Sequence, residues 1–204
     1  MHEVDRALAE IAGIRTQLAR SAQFRGYSPE SLAAIGVMAL LLGLALSRWP
    51  ALAAGNAGEV LAWGTLMLAS CVALTVEALL RARRRHGALA SDMAGSALKG
   101  MVPFTFTGAA ATFVLARYAP QVLWFAPGLW LALTGLVCFS WAPIMPRSIV
   151  WPGLWYLAWA LVLMIAGGRT GHTPPLAMAA AVGPGHLLIA HLLHRAERDA
   201  RILP

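Results

Sequence analysis

Three histidines near the end of the last apolar stretch are the side chains best suited to chemistry: His186, His191 and His194. An imidazole can ligate a metal, serve as an axial ligand of haem or relay a proton, and ionisable residues inside membrane spans usually have a purpose. On an α-helix His191 and His194 share a face, whereas His186 is rotated from His191 by about 140°. The three side chains therefore converge on one ion only if the helix is kinked.

The segment Gly183-Pro184-Gly185 supplies a candidate break in that helix. Proline removes a backbone hydrogen bond, and glycine permits local unwinding. The alternative interpretation places His191 and His194 at the membrane interface, where they contact lipid headgroups, and an isolated histidine pair favours this second interpretation. His186, His191 and His194 are thus weak candidates for metal ligands.

Glu77 and Lys99 are ionisable residues within or at the edge of other apolar stretches. An acid in an apolar helix can bind a cation or a proton, or pair with Lys99 or His191. The alternative is a local ion pair with Arg81, four residues later, which helps the carboxylate reach the interface. If successive helices alternate in direction, Glu77, Lys99, His191 and His194 lie at one end of the protein and form a candidate polar site open to the cytoplasm.

The elements that position these residues are six apolar stretches, each near the ~20 residues that a helix needs to cross a bilayer. They lie at about 32–49, 60–80, 98–118, 122–141, 149–167 and 176–193. The chain of 204 residues is 59% hydrophobic and 12% charged, with a mean hydropathy of +0.65, which excludes an ordinary soluble domain. The third stretch is the weakest, because it contains Lys99, Thr105 and Thr107. The sequence predicts an all-α polytopic membrane bundle of six transmembrane helices.

The distribution of positive charge predicts the orientation of this bundle, since short cytoplasmic loops accumulate Lys and Arg. With six spans, 13 of the 16 positive side chains fall on the side of the two termini, and Arg48, Arg117 and Arg169 fall on the other. Both termini are therefore predicted to be cytoplasmic. The chain has a single lysine among those 16 residues, which indicates a GC-rich bacterial source and the cell inner membrane.

An arginine run follows the second stretch: Arg81, Arg83, Arg84 and Arg85. These side chains are candidate contacts for anionic lipid headgroups, at about 1 kcal/mol for each charge near the surface. They are equally well explained as determinants of topology. Nucleic-acid binding is not expected, because no fold surrounds the cluster to present it.

An amphipathic helix is predicted at residues 4–24, because apolar side chains recur there at spacings of three and four. Its narrow apolar seam suits either a partner protein or the membrane surface. Ser28 is the expected N-cap of the next helix, and Pro29 its first residue. The predicted organisation is a cytoplasmic helix and turn at 1–28, a transmembrane domain at 29–195 and a cytoplasmic tail at 196–204.

The sequence contains no catalytic constellation: no nucleophile with an interpretable base, no phosphate-binding loop and no paired carboxylates. The favoured function is that of an accessory or regulatory membrane subunit, which binds another membrane or cytoplasmic protein through residues 4–24. Homo-oligomerisation is a further possibility. The alternatives are a small transporter or channel that uses the polar site, and a haem- or metal-binding redox protein that uses the histidines.

Overall fold

The computed structural model describes residues 27–84, 88–142 and 145–202, and for 82–84, 88–100 and 200–202 it describes the backbone alone. This part of the chain is helical and contains no strand. The helices are α1 (Pro29–Arg48), α2 (Gly55–Arg84), α3 (Ala88–Tyr118), α4 (Phe125–Trp141), α5 (Val150–Thr170) and α6 (Pro175–Ile202). Single 3₁₀ turns at Pro50–Ala53, Pro120–Val122 and Arg147–Ile149 connect several of them. The predicted amphipathic helix at 4–24 lies outside the described residues.

Each of the six predicted stretches lies largely within one of these helices, with Trp49, residues 122–124 and Ile149 just outside the α-helical bounds. The all-α prediction is therefore confirmed for the described residues. In the described part of the chain, four helical segments are long and apolar enough to cross a membrane: Pro29–Arg48, Gly55–Arg81, Arg147–Thr170 and Pro175–Asp199. Helix α4 is apolar but has only 17 residues. Helix α3, which contains the weakest predicted stretch, is not among the four, and its helical path includes Pro103, Thr105 and Thr107. The described part of the chain is therefore all-helical, with four helices of membrane-spanning length, as in a membrane protein.

Helix α1 begins where the sequence predicts. The Ser28 hydroxyl accepts a hydrogen bond from the backbone N–H of Ser31 at 3.0 Å, and Pro29 occupies the first helical position. This arrangement satisfies one of the backbone donors that a helix leaves free at its start.

Two antiparallel helix pairs form the core of the bundle, and glycine allows both pairs to pack closely. Between α1 and α6, a Cβ atom on Gly36 would lie 2.9 Å from the carbonyl oxygen of Gly183. Between α4 and α5, a Cβ on Gly135 would lie 2.9 Å from the carbonyl oxygen of Gly153. Small residues at such contacts let helix backbones approach, which is the usual packing of helices in membranes.

Helices α2 and α3 are the peripheral part of the bundle. Only 17% of the apolar window of α2 is buried, against 33% in α1 and 50% in α6. The hairpin formed by α2 and α3 is attached to the core through α4. The Trp130 indole N–H of α4 donates a hydrogen bond to Thr112 Oγ1 of α3 at 2.9 Å. The same indole ring packs beside Gly64 of α2 and Gly108 of α3. One tryptophan therefore joins the hairpin to the core.

One end of the bundle gathers the start of α1 and the ends of α2 and α4. The rings of Tyr27 and Trp141 lie 5.3 Å apart, centroid to centroid. Ser28 also interacts with the carboxylate of Glu77 in α2. These contacts bring the start of α1 to the ends of α2 and α4.

Helix α6 is not interrupted at Gly183-Pro184-Gly185, contrary to the predicted helix break: it runs continuously from Pro175 to Ile202 with Pro184 inside. A neighbouring helix provides the reason. In the turn before the proline, the carbonyl oxygen of Ala181 accepts a hydrogen bond of 2.8 Å from the indole N–H of Trp155 in α5. Such contacts satisfy the backbone groups that a proline disturbs within a membrane helix.

Candidate functional site

Glu77 lies near the end of α2 and forms the ion pair with Arg81 that the spacing indicates. Its Oε1 atom accepts from Nε of Arg81 at 3.0 Å and lies 2.9 Å from a terminal guanidinium nitrogen. The side chains are 19% and 35% exposed, respectively. The predicted i, i+4 ion pair with Arg81 therefore forms, and it involves one of the two carboxylate oxygens of Glu77.

The rest of the Glu77 carboxylate faces the start of α1. The hydroxyl groups of Ser28 and Ser31 and the backbone of Ser28 interact with it. The Oε2 atom is shielded from solvent, and no donor in the described part of the chain meets strict hydrogen-bond geometry with it. A negative charge beside the first turn of α1 also interacts favourably with the helix dipole. The sequence could not reveal this contact, because Glu77 and Ser28 are far apart in the chain.

The other predicted members of the polar site do not form a described cluster with Glu77. Lys99 lies in α3, and its side chain is outside the described part. His191 and His194 lie in α6, and both are exposed. Of the four residues, the contacts place only Glu77 in a network that joins two helices.

Among the predicted lipid-contact residues, the structure describes the side chain of Arg81 alone. The Arg81 guanidinium forms the ion pair with Glu77. Arg83 and Arg84 belong to the last turn of α2, but their side chains are outside the described part, and Arg85 lies outside the described residues altogether. Binding of lipid headgroups by this run stays a prediction.

The third histidine is separate from His191 and His194. The Nδ1 atom of His186 lies 2.7 Å from the Tyr156 hydroxyl and 3.0 Å from the carbonyl oxygen of Val182. In the described residues, no group of three or more His, Cys, Asp or Glu side chains is arranged to hold a metal ion. The weak prediction of a metal site at His186, His191 and His194 therefore gains no support from the geometry.

Tyr156 is the functional candidate that sequence reasoning missed. Its side chain is fully buried between α5 and α6, and its ring meets that of His186 edge to face with centroids 5.9 Å apart. The approach requires glycine at 185, because a Cβ there would lie 2.6 Å from the Tyr156 hydroxyl oxygen. In the sequence, only the glycine immediately before His186 indicates that another side chain packs closely there.

The Tyr156–His186 pair can share a proton between two atoms. When Nδ1 is bare, the phenol donates its hydrogen to it; when Nδ1 carries hydrogen, it can donate to the phenol oxygen or to Val182. The choice of tautomer is therefore coupled to the direction of the tyrosine O–H. Such a pair is costly to disturb, because the fully buried Tyr156 hydroxyl has lost its contact with water and the His186 ring is partly buried.

Comparison with known proteins gave no match: no protein-family model fits the chain, and no curated protein or solved structure is detectably similar to it.

Proposed function

We propose that this chain is a multi-pass inner-membrane protein with six transmembrane helices, both termini in the cytoplasm, and the role of a non-catalytic accessory subunit that binds a partner membrane protein. The proposal combines three parts: topology, orientation and partner binding. Each part has its own support and its own test.

The orientation is supported by the 13 positive side chains on the side of the termini, against 3 on the other side. A fusion of alkaline phosphatase to each connection measures it. We expect activity from fusions at Ala54, Ala119 and Gly171, and none from fusions after residues 86, 145 or 204. Activity after residue 86 together with inactivity at Ala119 would contradict the proposed orientation, and the same result after residue 86 and at Ala119 would contradict a span in α3.

The accessory role is supported by one observation, a row of exposed small residues on the outer face of α2. Thr65, Ala69 and Ala73 occur at every fourth position and are all exposed. Large apolar side chains flank them, including Leu68 at 61% and Val72 at 55% exposure. Small residues with this spacing allow a second helix to approach closely. The glycines at the α1–α6 and α4–α5 contacts are buried against the neighbouring helix, whereas the row Thr65, Ala69 and Ala73 on α2 faces outward.

The proposed occupant of this face is a transmembrane helix of the partner. Lipid tails fill an outward face without selecting small residues, but a packed helix gains from them because its backbone comes nearer. The predicted N-terminal seam at 4–24 supplies a second contact on the cytoplasmic side. Together the two contacts would hold a partner that has both a membrane span and a cytoplasmic segment.

Site-specific photo-crosslinking in native membranes tests this assignment. A benzophenone amino acid at Val72 on α2 is compared with one at Leu44, which is 58% exposed on the outer face of α1. We expect a discrete protein adduct from Val72 and lipid adducts from Leu44. The Val72 adduct should weaken in Ala69→Leu, which fills the small-residue face, and persist in the matched control Ala34→Leu on α1.

The mass of the Val72 adduct decides the outcome. An adduct that contains peptides of one other protein, captured reciprocally from that protein, supports the accessory role. An adduct of two copies of this chain would replace it with a homo-oligomer. Lipid adducts alone at Val72 would overturn the proposal. Deletion of residues 1–25 should lower the yield of the adduct if the N-terminal seam contributes.

The placement of Glu77 favours a second candidate, a small transporter or channel with a cytoplasm-facing polar site. Its carboxylate is shielded from solvent on one oxygen and meets two hydroxyl groups of another helix, which is a plausible ligand set for a proton or cation. Ion or proton flux in reconstituted vesicles measures this activity. Glu77→Gln should abolish the flux and Glu30→Gln, an exposed acid at the same end, should preserve it; flux that survives Glu77→Gln and His191→Ala would contradict this site.

A further inference from the structure

A second polar site lies at the opposite end of the bundle from Glu77. A small cavity of about 10 Å³ opens there between the first turns of α2 and the start of α4. Its lining residues are Asn56, Glu59, Val60, Trp63, Trp124, Pro127 and Thr173. The space fits one particle of the size of a water molecule.

Two of the polar side chains in this cavity are held by backbone carbonyls. Asn56 Nδ2 donates to the carbonyl oxygen of Gly171 at 2.8 Å, and Thr173 Oγ1 donates to the carbonyl oxygen of Trp124 at 2.9 Å. These bonds use the one hydrogen of the Thr173 hydroxyl and one of the two N–H groups of the Asn56 amide. The Asn56 amide oxygen and the lone pairs of the Thr173 hydroxyl are therefore left as acceptors.

The backbone of the α5–α6 connection is shaped to make these contacts. Gly171 ends α5 with φ of +73°, a conformation that side-chain-bearing residues rarely adopt. This turn brings Gly171 to Asn56 and Thr173 to Trp124. Asn56, Trp124 and Thr173 thus come from three different elements and are fixed relative to one another.

Glu59 adds a negative charge to this set of oxygen atoms. It lies one turn beyond Asn56 on α2, is half-buried, and is within electrostatic reach of the exposed His172. Trp63 and Trp124 line the same cavity, and their apolar surface strengthens electrostatic interactions by excluding water. The positive end of the α2 dipole opposes a cation here, but the negative end of the α5 dipole lies against the same turn through Gly171.

We propose that this cavity binds a single monovalent cation of the size of Na⁺, coordinated by the Glu59 carboxylate, the Asn56 amide oxygen and the Thr173 hydroxyl oxygen. One carboxylate balances one positive charge, and hard cations prefer oxygen ligands of these types. The cavity admits one such particle. Bound there, the ion links the start of α2 to the α5–α6 connection, and it is independent of the partner face and of Glu77.

Thermal unfolding of the purified full chain in detergent tests the site. Titration of NaCl against N-methyl-D-glucamine chloride at constant ionic strength should raise the Tm saturably, by about 3 °C. Glu59→Gln should abolish the rise, and the matched control Glu30→Gln, at the other end of the bundle, should retain it. A Tm that is the same in both salts, or a rise that persists in Glu59→Gln, would overturn the proposal and leave water as the occupant.

A second pair of variants keeps the test decisive if Glu59→Gln does not fold. Thr173→Val removes the hydroxyl while preserving shape, and Thr173→Ser keeps it. We expect the Na⁺ concentration at half-maximal effect to rise at least tenfold in Thr173→Val and to change less than threefold in Thr173→Ser. Broadening of the ²³Na NMR signal by the wild-type protein, reversed by Thr173→Val, reports binding directly. Equal behaviour of the two variants would contradict coordination by Thr173.

Discussion

The hydroxyl of Tyr156 lies 2.7 Å from Nδ1 of His186 and joins α5 to α6 in the interior of the bundle. The contact depends on Gly185, whose missing side chain leaves space for the phenol. The reason for a glycine at position 185 of α6 is therefore found in another helix, α5.

Tyr156→Phe should destabilise the bundle, because it leaves Nδ1 of His186 with Val182 as its one remaining described partner. The loss of a buried hydrogen bond costs about 1–3 kcal/mol, and we expect a lower Tm in detergent. The ¹⁵N shifts of the His186 ring should also change, since the phenol helps to set its tautomer. Tyr118→Phe is the control, because Tyr118 is 73% exposed. An unchanged ring spectrum in Tyr156→Phe would show that the phenol does not act on the imidazole.

The sequence predicts the helices of this protein better than it predicts the contacts between them. Hydropathy is a property of neighbouring residues, so each apolar stretch lies largely within one helix, and the Glu77–Arg81 pair follows from one turn of spacing. The Asn56–Gly171 hydrogen bond spans 115 residues, and no local pattern encodes it. Pro127 is a related case: the fourth predicted stretch starts at 122, which would place this proline beyond the first helical turn. Because α4 begins at Phe125, the proline instead occupies the first turn, where its missing N–H has no consequence.

Gly43→Leu should disrupt the α1–α6 pair. A Cβ atom on Gly43 would meet the Cβ of Ala179 and would lie 2.9 Å from the carbonyl oxygen of Pro175, and backbone cannot move aside as a flexible side chain can. Overpacking of this kind costs about 1–3 kcal/mol or more. Thermal unfolding in detergent measures the effect, with Ala34→Leu on the exposed face of α1 as control. Equal Tm values for the two variants would mean that α1 and α6 are not packed through Gly43.

Ser28→Ala and Glu77→Gln should be energetically coupled. Ser28 caps α1 and also interacts with the Glu77 carboxylate, so removal of the hydroxyl costs the cap, about 1 kcal/mol, and a contact with the charge. A double-mutant cycle should give an interaction energy of about 0.5 kcal/mol or more. The same cycle with Glu30→Gln in place of Glu77→Gln supplies the comparison. Strict additivity in the Glu77 cycle would show that Arg81 alone engages this carboxylate.

Tyr27 should make the stability of the protein sensitive to alkaline pH. Its ring is 3% exposed and packs against Trp141, and burial raises the pKa of Tyr27 from 10.0 to about 12. The folded state therefore retains the phenol proton at a pH where the unfolded chain has lost it. Below pH 10 this difference contributes fully, by about 2–3 kcal/mol at two pKa units, and it declines as the pH rises from 10 to 12.

Tyr27→Phe isolates this contribution, because phenylalanine keeps the ring and does not titrate. Other groups affect the alkaline stability of both proteins alike, so the informative quantity is the difference between their free energies of unfolding. That difference should shift in favour of Tyr27→Phe between pH 9 and pH 12, as the wild type loses the advantage of its protonated phenol. A difference that is constant across this range would mean that Tyr27 titrates near its ordinary value in the folded protein, and that the start of α1 is open to water.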